Sequence, residues 1–101
     1  MSTRLELHEL LCEILGSEHV YFQPPESIRM QYPAIVYSRD DIENRPANNE
    51  PYIQSTAYNV IVIDADPDSE IVDRVSKLPM CTFDRHYAAD NLNHDSFTLY
   101  F

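Results

Sequence analysis

Leu7, Leu10, Leu11, Ile14 and Leu15 recur at three- and four-residue spacing with Glu6, Glu9 and Glu13 between them, the pattern of a helix with one apolar side. Thr3 and Glu6 have the T-x-x-E spacing of a capping box at its start, and Gly16 can supply the left-handed turn that ends it. Val20, Tyr21, Phe22 and Gln23 read as a short strand closed by Pro24 and Pro25, which cannot continue a ladder. After a loop to Tyr32, Pro33 opens a second strand over Ala34–Arg39, whose β-branched and aromatic residues suit a pleated surface, with room to continue outward through Ile42.

From Asp40 the chain turns polar and stays so to Pro51, which predicts a loop or the tip of a protruding hairpin. Residues 52–63 follow as a strand, with Tyr58, Val60 and Val62 on one face and Asn59, Ile61 and Ile63 on the other, so its apolar end is expected to be buried on both faces. Asp66 before Pro67 fits an N-cap with proline at the first helical position, and Asp68 and Glu70 favour the positive end of a helix dipole. Ile71, Val72, Val75 and Leu78 supply the apolar stripe, and Pro79 stops the helix. A strand over 80–87 with Cys81, Phe83 and Tyr87 on one face, a turn over 88–95 and a last strand with Phe97, Leu99 and Phe101 facing one way complete the pattern. The order α-β-β-β-α-β-β predicts a single α+β domain over residues 1–101. Two helices pack on one face of a four- to five-stranded, mainly antiparallel sheet, with a protruding polar hairpin arm at about 40–52.

Composition narrows the function. With Gly16 the one glycine among 101 residues, the glycine-rich loops that cradle phosphates are excluded. Seventeen acidic against seven basic residues give a formal charge of −10, which disfavours gripping nucleic acid or an anionic membrane and favours solubility before assembly. No leader pattern and no apolar run long enough to span a bilayer stand out, so a soluble, cytoplasmically made protein without a membrane partner is expected. Cys12 and Cys81 lie far apart, outside any C-x-x-C spacing, and read as two free thiols.

Several spacings invite chemistry, and each has a plainer explanation. Asp64, Asp66, Asp68 and Glu70 alternate like a calcium loop, but Ser69 stands where that loop needs glycine and Val75 where it needs a bidentate acid. His8 and Cys12 sit four apart on a helix, and His86 and His94 lie across the last hairpin near Asp84 and Asp95; each is an incomplete zinc set. Cys81 with His86 is the one nucleophile-base pair worth weighing, and five-residue spacing on a regular strand sends them to opposite faces. No catalytic residues, cofactor or metal are therefore expected. Residues 41–52, with Arg45, Pro46, Asn48, Asn49 and Tyr52, instead suggest an arm that contacts another subunit, in keeping with seven tyrosines and no tryptophan.

The strings Tyr32-Pro33-Ala34-Ile35-Val36-Tyr37 and Tyr58-Asn59-Val60-Ile61-Val62-Ile63, set between an N-terminal helix, a polar arm, an acidic-capped helix and a closing hairpin, resemble the small tail terminator, or tail completion, proteins of long-tailed bacteriophages. The resemblance implies a non-enzymatic virion subunit of the tail or neck. It would form a homo-hexameric ring that caps the tail tube and joins it to the head connector, with DNA passing through unbound. The acids Asp40, Asp41, Glu43, Asp64, Asp66 and Asp68 are then the candidates for a lumen that does not trap the polyanion. Another neck or head completion protein, a cellular protein-binding adaptor and a small metal-dependent enzyme using the histidines are the alternatives. Solution mass with and without a chelator separates these classes.

Overall fold

The computed structural model describes residues 4–25, 27–40 and 56–101. It has the expected element order: α1 (Arg4–Leu15), β1 (Val20–Phe22), β2 (Ala34–Arg39), β3 (Ala57–Asp64), α2 (Glu70–Ser76), β4 (Cys81–Ala89) and β5 (Leu92–Tyr100). The strands form one sheet in the order β1-β2-β3-β5-β4. The β2–β3, β3–β5 and β4–β5 pairs are antiparallel. Of the hydrogen-bonded pairs only β1–β2 is parallel, and its connection contains no helix among the described residues. Because β5 lies antiparallel between β3 and β4, those two strands are parallel to each other and α2 forms the crossover between them.

Both helices pack on the same face of the sheet. Leu7, Leu11 and Leu15 of α1 and Ile71 and Val75 of α2 meet Val20, Ile35, Tyr37, Tyr58, Val60, Val62, Phe97 and Leu99 in one cluster. On β3 the burial of Tyr58, Val60 and Val62 follows the expected period of two, and Ile63 is also buried although it points to the opposite face. Gly16 ends α1 with φ +79, and its amide bonds the Cys12 carbonyl at 2.8 Å.

Three expectations need correction. The second helix does not start at Asp66-Pro67: Ser69 is its N-cap, with Oγ accepting from the Ile71 amide at 3.2 Å. The carboxylates of Asp64 and Asp66 instead accept the amides of Asp66 and Asp68 at 3.0 and 2.9 Å, local turns that compete with helix over just these residues. The turn expected over 88–95 is also much tighter. Both strands run on to Ala89 and Leu92, joined through Asp90 and Asn91 at φ 54 and 62, the doubly left-handed pair that suits the twist of a hairpin.

The third correction concerns faces. Asp84 is an extra residue between the pairs Phe83↔Phe97 and Arg85↔Ser96, a β-bulge that reverses the alternation beyond it. Cys81 and Phe83 therefore share the helix-covered face with Leu99 and Phe97, whereas Tyr87 turns to the opposite face and stacks on His94, centroids 4.8 Å apart.

Truncating Leu11 to alanine is expected to cost about 2–5 kcal/mol of unfolding free energy, the range for a fully buried leucine. Ser69→Ala should cost about 1 kcal/mol through the lost cap, and Asp66→Ala, which leaves that cap intact, should cost less. Urea unfolding of the three variants orders them.

Candidate functional site

The most enclosed side-chain polar group among the described residues is the Tyr37 hydroxyl. Tyr37 sits on the helix-facing side of β2 with no solvent exposure, its ring between those of Phe22 and Tyr58 at 4.9 and 6.1 Å. Arg4 donates to its oxygen at 3.2 Å, and Nδ1 of His8 shares a hydrogen bond with the same oxygen at 2.8 Å. Arg4 also lies over the Phe22 ring, 4.6 Å from its centroid. Burial pushes the Tyr37 hydroxyl above its ordinary value, while the Arg4 bond and charge pull the other way. A neutral phenol held in this way anchors the first turns of α1 to β2.

The remaining chemistry-bearing residues are kept apart. Without the bulge Cys81 and His86 would point to opposite faces; with it they share one, but their partners Leu99 and Asp95 are four residues apart on β5, about 13 Å along a strand. Burial first, and then Asp84, raises the Cys81 thiol; burial, Glu18 and Glu9 raise Cys12. Both shifts oppose formation of a nucleophilic thiolate. His86 bonds Asp95 at 2.8 Å on one face, whereas His94 lies on the other, so the register separates the two histidines of the last hairpin. Among the described residues no group of three or more His, Cys, Asp or Glu side chains is placed to hold a metal ion. No helix among them is long and apolar enough to cross a membrane.

Of the acids expected to face a channel, Asp40 and Asp64 lie at opposite ends of the sheet: the Asp40 amide bonds the carbonyl of Ala57, the first residue of β3, and Asp64 is the last. That is a separation of about 24 Å over the length of the strand. Asp64 and Asp66 serve their own turns, and Asp68 is exposed before α2. Asp41, Glu43 and the arm residues Arg45, Pro46, Asn48, Asn49 and Tyr52 lie outside the described residues.

The surface that sequence reasoning missed is the outer edge of the sheet. β4 is its last strand, exposed over most of its nine residues. Met80, just before it, and Phe83 within it are 66% and 51% exposed, the two most exposed large apolar side chains outside the helices among the described residues. Met80 adopts φ +61, a left-handed conformation that costs a non-glycine residue about 1–2 kcal/mol. Phe83 touches Phe97 edge-on at 5.4 Å, so part of its ring continues the core outward to the rim. Strand pattern alone could not show that β4 is terminal, because that depends on β5 inserting beside β3.

Three outcomes test this description. Tyr37→Phe should lower unfolding free energy by about 1–2 kcal/mol and leave the sheet intact, since it removes one buried hydroxyl bonded to two partners. A raised phenol and raised thiols favour the folded state below their unfolded values and lose that contribution as pH climbs through the folded ones. Unfolding midpoints should therefore fall as pH passes about 9–10, less steeply for the Tyr37→Phe variant. In the native protein at pH 7 both thiols should react with a disulfide reagent more slowly than in urea, where two per chain should titrate.

No protein-family model, curated protein or solved structure matches the chain.

Proposed function

We propose that the chain is a non-enzymatic structural subunit that works by joining other polypeptides, of the kind represented by phage tail terminators. Copies of it would form a ring that closes a tail tube and meets a head connector, and DNA would pass without specific binding. The observation that carries this reading is the open β4 edge, a nine-residue strand with no partner strand along one side among the described residues and with Met80 and Phe83 exposed beside it. Such an edge is suited to contact with protein rather than to turnover of a small molecule. The raised thiols and the separated histidines of the hairpin weigh on the same side, against the small metal enzyme. The acidic helix faces, with Glu9, Glu13, Glu70 and Asp73 exposed, suit a subunit that must stay soluble until it assembles.

Light scattering of the intact chain across a salt series, followed by electron microscopy, tests the ring. A six-fold mass and annular particles are expected, together with arrest of tail-tube growth when the protein is added. A chain that remains monomeric and leaves tube growth unchanged overturns the reading.

A lumen role for the acids has its own test. Asparagine at Asp64 and Asp66 keeps the side-chain oxygen that the turn amides need, so folding should be preserved. Asp68→Lys leaves both turn acceptors in place and should slow DNA passage at low salt, an effect that fades as salt rises. Unchanged passage at low salt would make the acids a solubility feature only.

A further inference from the structure

The hydrogen-bond pattern shows which way the backbone of β4 points. On one side of β5, Thr56 and Phe101 exchange both of their backbone bonds, at 3.1 and 3.0 Å, so the odd-numbered residues of β5 direct their amides and carbonyls toward β3. On the other side the Tyr100 amide bonds the Met80 carbonyl at 3.1 Å, and the even-numbered residues serve β4. The partners of those even residues, Thr82, Arg85, Tyr87 and Ala89, therefore point inward. Cys81, Phe83, His86 and Ala88 are left with their backbone groups directed to the open edge.

These four positions are symmetric about the point between Asp84 and Arg85. An antiparallel copy of the same strand centred there would set Phe83 opposite His86, and Cys81 opposite Ala88, twice over. The bulge makes this register unique. Any other register would set the extra residue of one strand against a regular stretch of its partner, so only one half of the ladder could form. In this register each bulge faces the other and the two halves stay in step.

Side chains agree with the backbone. Phe83 and His86 both lie on the helix-covered face, as do Cys81 and Ala88, so opposed residues meet on the same side of the joined sheet. At the centre Asp84 would oppose Arg85 of the second copy, and Arg85 its Asp84. Both lie on the helix-free face, where Asp84 accepts from Thr98 at 2.7 Å and Arg85 lies over Tyr87, 4.9 Å from its centroid. A bulge and charges on an edge strand normally discourage pairing. Here they discourage it with everything except a strand that carries the same bulge and the reversed charge order.

We infer that the free chain pairs with a second copy of itself through β4, antiparallel and centred on Asp84 and Arg85, to give a two-fold dimer with a continuous ten-stranded sheet. The pairing rests on the reading of β4 as a contact surface and goes beyond the ring, in which head-to-tail contacts would relate subunits differently from a two-fold pair. The partner is this chain, because no other strand is required by the fold to match both the bulge and the charge order.

Two experiments on the full chain test it. In the first, sedimentation is compared for wild type, Arg85→Asp and the doubly exchanged Asp84→Arg/Arg85→Asp, with melting temperature as a check on folding. A two-fold mass is expected for wild type, a dissociation constant raised about tenfold or more when like charges oppose, and recovery in the double exchange, which restores opposite signs. In the second, Ala88→Cys is oxidised with glutathione disulfide. Its new thiol should face Cys81 of the other copy, at the roughly 5.5 Å between Cα atoms of a hydrogen-bonded pair, within reach of a disulfide. It should give a covalent dimer, while wild type and Ala89→Cys, whose position points inward, should not. Bridging within one chain is excluded, because seven steps of strand separate the two positions. Monomers throughout, association indifferent to the charge exchange, or equal cross-linking of Ala88→Cys and Ala89→Cys would each overturn the pairing. Six-fold rings that ignore the exchange would overturn the pairing while leaving the ring reading standing, and swap-sensitive dimers that never form rings would do the reverse.

Discussion

The arrangement depends on β5 being hydrogen-bonded on both sides, to β3 along one edge and to β4 along the other. Its alternating backbone directions divide it between two partners, and its alternating side chains place Phe97 and Leu99 under the helices. A slip of one residue would carry both out of the core, a loss of several kcal/mol for two fully enclosed side chains. With β5 in that position α2 must carry the chain over it from β3 to β4. The strand that follows α2 is thereby left outermost, with no partner strand on one side among the described residues.

At the other end of the sheet the organising contact is the Tyr37 hydroxyl. A phenol with no access to water needs partners from the protein, and here both come from the first turns of α1. The leucines of α1 give that helix its attraction to the sheet, but apolar contacts are tolerant of rotation and sliding. The bonds with Arg4 and His8 are directional, so they fix where along β2 the helix lies. Polar residues that could suggest a metal or catalytic role thus hold two layers in register.

The acidic composition has a similarly local component. Asp64 and Asp66 stabilise turns between β3 and α2, while the glutamates of α1 and α2 lie on surfaces that the core does not use. Charge is concentrated on the helical layer and its connections. Among the described residues, the helix-free side of β4 and β5 carries Asp84 and Arg85 amid Thr98, Ser96, Tyr87 and His94. A strongly negative protein can approach another protein through such a face or edge at lower electrostatic cost than through its helices.

Periodicity by itself determined the two helices, the central strands and most of the core, because Leu7, Leu11, Tyr58, Val60, Val62, Phe97 and Leu99 each follow the spacing of the element that buries them. It also determined the α+β class, since apolar faces with those periods have few ways to cover one another. Tertiary structure decided the rest. Whether Asp66 or Ser69 caps α2 turned on competing local side-chain bonds, which residue type alone does not rank. The parallel pairing of β1, the terminal position of β4 and the bulge at Asp84 depend on which strand edges meet, and alternation within a strand carries no information about its neighbours. The bulge in turn decided which side chains share a face, placing Tyr87 with His94 and His86 with Asp95. The proposed assembly edge therefore became visible only once β5 had taken its place between β3 and β4.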